Sequence, residues 1–263
     1  MTTIEQAIVK AKEAGDKAFV PYIMAGDGGI ETLKPTILKL QTIGVTAIEV
    51  GIPFTDPVAD GPTIEQAGER ALVEGVTLRK VLAELASFRE DITVPLVVMT
   101  YYNPVLAYGF EAFGLACVAG GVKGLIVPDV PLEESAILRE ELNPHDIDIV
   151  QLVSLTSPAE RIAKIAAASQ GFVYAVTVNG ITGARASFAS DLDGHFARLR
   201  EASPIPVLAG FGISTPEQVI SMSALGDGVI VGSTIVTALH EGDFAKVEAL
   251  VAASKGVLEK SAL

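Results

Sequence analysis

The sequence has one cysteine, three histidines and no tryptophan in 263 residues. A single cysteine cannot close an internal disulfide, which excludes a small secreted scaffold held together by bridges. Cys117 lies in an apolar helical stretch and reads as core packing. His145, His195 and His240 fall in turns or helical stretches, and none follows a strand-like run. A histidine-ligated metal centre is therefore not expected. Basic residues are also scarce, with Lys+Arg at 19 against Asp+Glu at 32, a formal charge of −13. A pI near 4.7 lacks the basic footprint that nucleic-acid binding needs. No apolar run reaches the ~18 residues of a membrane span. The opening stretch MTTIEQAIVKAKEAGDK lacks the apolar core of a signal peptide and the acid-poor look of a transit peptide. A cytoplasmic protein is expected.

Apolar material is plentiful, at 49% of residues, with 25 Gly and 14 Pro as punctuation. One pattern recurs: a short apolar run, a Gly/Pro/Asp turn, then a longer 3.6-periodic stretch. The runs are 18–24, 47–51, 95–101, 124–127, 147–153, 172–176, 206–209 and 228–231. Amphipathic stretches such as 30–40, 78–88, 133–142, 158–168 and 216–225 lie between them. Such alternation predicts βα units around a buried parallel sheet. Eight runs point to an α/β fold, a single (β/α)8 barrel domain over 1–263. A doubly wound open sheet would usually carry a Gly-rich fingerprint after its first strand, which is absent. Residues 2–14 precede the first run with apolar residues at helical spacing. They predict a helix closing the barrel's bottom, with Thr2 and Glu5 as a capping box. The stretch between the second and third runs needs a long loop and an extra helix near 63–73, and a further helix is expected after strand 8.

Chemistry in such barrels sits at the C-terminal ends of the strands. In the second run, alternation places Ile48 and Val50 on one face and Ala47, Glu49 and Gly51 on the other. A glutamate pointing into a barrel is costly as an ion and its pKa should rise, which suits catalysis better than structure. Asp60 precedes Gly-Pro-Thr at a helix start, so a cap and a catalyst fit it equally well. Asp27 and Asp129 follow strands 1 and 4 in the same manner, and turn chemistry is the expectation for Asp27. No lysine lies at the C-terminal end of a predicted strand, so Schiff-base chemistry is not expected. Acid–base chemistry by carboxylates remains. Three successive turns are Gly-rich, at 178–183, 209–214 and 231–234, and the last opens a helix. Glycine admits backbone N–H groups close to an anion, and a helix N-terminus adds its dipole. Between Arg200 and Lys246 no other Lys or Arg occurs. A phosphate would thus be held by backbone N–H groups and Ser233.

Five segments together resemble the tryptophan synthase alpha chain family. They are Phe19-Val-Pro-Tyr-Ile-Met-Ala-Gly-Asp27, Glu49-Val-Gly-Ile-Pro-Phe-Thr-Asp-Pro-Val-Ala-Asp60-Gly-Pro-Thr-Ile, Pro128-Asp-Val-Pro-Leu-Glu-Glu-Ser135, Gly180-Ile-Thr-Gly183 and Gly210-Phe-Gly-Ile-Ser214. The resemblance implies a (β/α)8 lyase that cleaves indole-3-glycerol phosphate to indole and glyceraldehyde 3-phosphate. It implies Glu49 and Asp60 as the catalytic pair, with Thr182 orienting Asp60. Phosphate is expected at Gly183, Gly212, Gly232 and Ser233, and indole near Tyr22, Ile64, Tyr174 and Phe211. No cofactor is expected in this chain; pyridoxal phosphate belongs to the beta chain of an α2β2 complex. Pro53, Asp56, Pro57, Asn103, Pro104, Asp129 and Pro131 are expected at that interface. Two positions depart from common family members: Tyr22 where Phe is frequent, and Val178 where some carry Arg. A stand-alone lyase releasing free indole would use the same pair, and a non-catalytic phosphate-binding barrel would not need it.

Overall fold

The computed structural model describes residues 2–154, 157–176, 192–210 and 212–256. The strands among them are β1 (Ala18–Met24), β2 (Ile48–Gly51), β3 (Leu96–Met99), β4 (Val122–Ile126), β5 (Asp148–Ile149), β6 (Gln151–Ser154), β7 (Val173–Val176), β8 (Val207–Gly210) and β9 (Gly228–Val231). Every ladder is parallel, and the order β5-β4-β3-β2-β1-β9-β8-β7-β6 runs once round a (β/α)8 barrel. The seam lies within one chain segment. The fifth apolar run, expected as a single strand, is split at Val150 into β5, which pairs with β4, and β6, which pairs with β7. Side chains from the following turn cause the split. The Ile149 N–H donates to Gln170 Oε1 at 3.0 Å and the Gln151 N–H donates to Ser169 Oγ at 3.0 Å.

Two apolar layers fill the molecule. Ile48 and Val50 face outward to the helices, while Ala47 joins Ala18, Val20, Val97, Ile126, Leu208 and Ile230 inside the barrel. This is the alternation that the sequence carries, and it points Glu49 inward. Helix α1 (Ile4–Glu13) closes the bottom by inserting Ile4 and Ile8 into that inner cluster. Its capping box uses Thr3 and Gln6 rather than Thr2 and Glu5, with reciprocal bonds of 3.2 and 3.1 Å. Both pairs satisfy the sequence pattern, so only the packing of Ile4 at the first helical position decides between them.

Helices α2 (Leu33–Thr42), α3 (Pro62–Val73) and α4 (Leu78–Ser87) follow β1 and β2. The extra helix after β2 is thus α3, beginning one residue earlier than expected, and Gly61 is its N-cap. After β3 come two helices, α5 (Tyr102–Tyr108) and α6 (Phe110–Gly120), separated at Gly109 with φ of 85°. A positive φ is cheap only for glycine, and it breaks the helical run there. Then follow α7 (Ala136–Leu142), α8 (Ala159–Ala168), α9 (Leu192–Ala202) and α10 (Pro216–Leu225). After β9, α11 (Ser233–His240) and α12 (Phe244–Ala253) supply the additional helix at that end. Among the described residues no helix is long and apolar enough to cross a membrane.

Candidate active site

A cavity of about 360 Å³ opens at the C-terminal ends of the strands. Tyr22, Glu49, Asp60, Ile64, Tyr174, Gly212, Gly232 and Ser233 all line it. Eight of the sequence-derived catalytic and substrate residues therefore meet in one place. Thr182, Gly183 and Phe211, together with Val178, lie outside the described residues. The lining also includes Met99, Ile126, Leu152, Ile213 and Ile230, an apolar floor suited to a flat aromatic ring. No described Lys or Arg lines the cavity.

Glu49 enters from the middle of β2, opposite Tyr22 on β1 and Val97 on β3. It is 1% exposed, and its Oε2 has no hydrogen-bond partner among the described residues. Burial pushes its pKa from 4.5 up to about 8, and the nearby Asp60 charge adds to the rise. At neutral pH this carboxyl holds its proton. A cluster of three or more His, Cys, Asp or Glu side chains that could hold a metal is not found among the described residues.

Asp60 arrives on the loop between β2 and α3. It is not the helix cap, since Gly61 occupies that position without any side-chain bond. Instead its carboxylate lies beside the Tyr101 hydroxyl. Burial raises Asp60 to about 6, and the Tyr101 hydroxyl opposes that rise. The same Tyr101 oxygen accepts from the Ala59 N–H at 3.1 Å, and its ring stacks on Phe54 at 5.3 Å. One buried tyrosine just beyond β3 thus holds three points of the loop. Sequence reasoning missed Tyr101; its position directly after a strand was the available signal.

Arg70 on α3 makes a two-pronged bond to Asp27 after β1, with both N···O distances 2.7 Å. Asp27 thus does more than the expected turn chemistry: it fixes the helix that follows Asp60. Asp129 accepts from the Tyr102 N–H at 3.1 and 3.2 Å, anchoring the start of α5. Of the residues expected at a partner interface, Pro53 is buried within this chain, Pro57 and Pro104 are half-buried, and Asp56, Asn103, Asp129 and Pro131 are exposed.

At the other end of the cavity the chain offers backbone. Gly232 caps α11 and Ser233 is its first residue. Gly212 turns with φ of 76° after β8. Thr234 Oγ1 donates to the Ile213 carbonyl at 3.1 Å and ties the two turns together. This leaves first-turn N–H groups and a helix dipole facing the cavity, the arrangement that receives phosphate without a cation.

The molecule is thus a (β/α)8 barrel with a carboxylate pair at one end of an apolar cavity and an anion cradle at the other. The cavity lies where (β/α)8 barrel enzymes hold their active sites. The profile of the family described as "Tryptophan synthase alpha chain" matches residues 8–261. A Bacillus mycoides tryptophan synthase alpha chain is 50% identical over 235 residues, covering 89% of this chain and 91% of its own. A Bacillus cereus counterpart is 48% identical over 250 residues, 95% of this chain and 97% of its own. A Mycobacterium tuberculosis tryptophan synthase structure superposes with a TM-score of 0.87 at 34% identity, covering 97% of this chain and 99% of that one. The alpha subunit from Legionella pneumophila gives 0.85 at 31%, with 99% of each chain covered. The chain belongs to the tryptophan synthase alpha chain family, whose members are lyases that cleave indole-3-glycerol phosphate and work with a beta chain.

Proposed function

We propose that this chain cleaves indole-3-glycerol phosphate by acid–base catalysis with Glu49 and Asp60, in the cytoplasm, and passes indole to a beta chain that carries pyridoxal phosphate. The observation that carries the proposal is the buried Glu49 carboxyl, whose Oε2 has no partner among the described residues, in the same cavity as Asp60 and the glycine-lined helix start. The reaction is a retro-aldol cleavage. Indole leaves poorly until C3 is protonated, because only then can the ring accept the bonding electrons. Glu49, protonated at rest, delivers that proton to C3. The bond between C3 and the carbinol carbon breaks, its electrons return to the ring, and the carbinol hydroxyl gives its proton to Glu49. Glu49 is regenerated, and the products are indole and glyceraldehyde 3-phosphate. A pKa raised by burial serves both transfers.

Asp60 remains ionised, accepts from the indole N–H and stabilises the positive charge that develops on the ring. Thr182, which follows β7 in sequence, orients it. Gly183, Gly212, Gly232 and Ser233 hold the phosphate, and Tyr22, Ile64, Tyr174 and Phe211 hold the indole. Binding at the phosphate end fixes the reacting carbons against Glu49. The exposed Asp56, Asn103, Asp129 and Pro131, with Pro53, Pro57 and Pro104 beneath and between them, form the beta-chain contact at the mouth. Docking there orders the Asp60 loop and couples the partner to catalysis.

The test is indole release with and without a cognate beta chain. We expect low activity alone and a rise of at least ~10-fold in the complex, about 1.4 kcal/mol at the barrier. Asp56→Ala should weaken the activation more than basal turnover. Full activity without the partner would instead make this a stand-alone lyase. No cleavage in either state would refute the function.

A further inference from the structure

Asp27 carries a carboxylate that its own turn does not use. The turn closes on backbone and on one threonine. The Asp27 N–H donates to the Met24 carbonyl at 3.3 Å, the Gly29 N–H donates to the Gly26 carbonyl at 3.0 Å, and the Thr32 hydroxyl donates to the Gly29 carbonyl at 2.7 Å. Among the described residues neither Asp27 carboxylate oxygen accepts from a backbone N–H. The side chain, 11% exposed, turns instead to two helices. Arg70, in the last turn of α3, grips both oxygens at 2.7 Å, a fork that fixes direction as well as distance. His240, the last residue of α11, stands with Nδ1 3.8 Å from Oδ1.

Those two helices carry the two ends of the cavity. Helix α3 follows Asp60 and its cap Gly61, and it places Ile64 in the lining. Helix α11 opens at Gly232 and Ser233, the anion cradle. The two helices pack on each other, and α11 also packs on β1. On the other side a crevice of about 300 Å³ lies between α11 and α2, lined by Thr32, Thr36, Leu239 and His240. Apolar packing therefore does not lock α11 to α2 beside Asp27. The cradle has its own tie, the Thr234 bond to the Ile213 carbonyl. Helix α3 starts without a side-chain cap. Among the described residues, the Arg70 fork supplies the side-chain hydrogen bonds that tie α3 to the rest of the chain.

We propose that Asp27 is a positioning residue. Through Arg70 it holds α3, and with it Ile64 and the chain next to Asp60, at a fixed spacing from the anion cradle on α11. This role rests on the acid–base reading above and adds to it a residue remote from the reacting atoms. A substrate seated by its phosphate meets the carboxylates only if that spacing is kept. A shift of a fraction of an ångström at the reacting groups costs roughly 10-fold in rate.

The experiment is steady-state indole release by Asp27→Ala and Arg70→Ala with the beta chain present, alongside the binding of glycerol 3-phosphate, which reaches the anion end alone. Each variant should lose roughly 10-fold in kcat, while KM and the affinity for glycerol 3-phosphate stay within ~3-fold of wild type. The double variant should be no worse than the poorer single one, because the same interaction is lost in all three. Arg70→Lys should recover part of the rate, since an ammonium keeps the charge and loses the fork. Where thermal melts show that Asp27→Ala does not fold, Asp27→Asn carries the test, with a fall in kcat of about 3-fold and the same unchanged binding. Unchanged kcat in the single variants overturns the role, and so do losses that multiply in the double variant. A parallel fall of kcat and of glycerol 3-phosphate binding capacity also overturns it, because loss of folded protein alone gives that result. If the wild-type protein releases no indole, the functional reading fails instead.

Discussion

At the bottom of the barrel Asp227 is fully used. Its Oδ1 accepts from Lys12 at 3.3 Å and its Oδ2 accepts from the Val207 N–H at 3.0 Å. Lys17 beside it donates to the Gly226 carbonyl at 2.7 Å. At the top, Glu49 is more deeply buried and its Oε2 has no partner among the described residues. Both are acids next to a parallel strand, and they are handled in opposite ways. The lower one ties α1 and β8 together. The upper one raises the free energy of the fold whenever it is ionised, and in return holds a transferable proton near neutrality. The paired Asp227 belongs to the end of the barrel that supports the structure, and the unpartnered Glu49 oxygen to the end where the cavity opens.

The sharpest way to break this contrast is Glu49→Gln. Indole release should fall ~10²–10⁴-fold or more, as for loss of a general acid–base group. The fold should become more stable, and the sign follows from the shift. A carboxyl at about 8 in the fold and 4.5 unfolded contributes its full stability below pH 4.5. That contribution is lost as pH rises to 8. The variant should therefore gain nothing in strong acid and roughly 5 kcal/mol above pH 8, by 1.36 kcal/mol per unit. Activity assays and thermal melts at pH 4, 7 and 9 check both halves. A variant that is both active and unaltered in stability would remove Glu49 from the mechanism. Asp60→Asn should be severely impaired with a smaller gain, since Asp60 is raised only to about 6.

At the anion end, Gly232→Val sharpens the same comparison within the cavity. A Cβ on Gly232 meets nothing nearer than Tyr22 Cβ at 3.9 Å, so the fold should tolerate the side chain. It would project into the space assigned to phosphate oxygens. Substrate binding should weaken by ~2 kcal/mol, about 30-fold in affinity, with the melting temperature little changed. A crystal soaked in substrate with its phosphate elsewhere would overturn the assignment of the cradle.

The architecture was largely legible in the sequence because parallel strands buried on both faces read as apolar runs, and a charge inside such a run is conspicuous. Glu49 was found in that way. Asp60 was ambiguous, because Asp-Gly-Pro-Thr describes a capped helix start as well as a catalytic loop. Only the fold shows that Gly61 takes the cap and Asp60 meets Tyr101. Tyr101 itself was overlooked: it ends the 95–101 run, where an aromatic residue reads as core, and its contact to Ala59 spans 42 residues. The break at Val150 was hidden in a continuous apolar run, since its cause is two side chains on a later turn. The helical stretch around Cys117 was legible, but its bounds were not, because FEAFGLACVAG is apolar on nearly every face and shows no period.

The smallest expected effect comes from the bottom of the barrel. Asp227→Ala removes the acceptor for the Val207 N–H and the partner of Lys12. The Lys12 pair contributes little, because its ammonium is 60% exposed and solvent screens it. The backbone bond matters more: Asp227 has only 16% of its side chain exposed, so Val207 N–H would lose its partner where water reaches poorly. The expected cost is about 1–2 kcal/mol of stability, read as a lower denaturant midpoint with an unchanged slope. Indole release should stay within about two-fold of wild type at 25 °C, because β8 keeps its ladder bonds to β7 and β9 above that point. Asp227→Asn should lose less than Asp227→Ala, since its amide oxygen can still accept from Val207. If Asp227→Ala instead abolished catalysis while leaving stability intact, the division between a supporting bottom and a reactive top would be wrong.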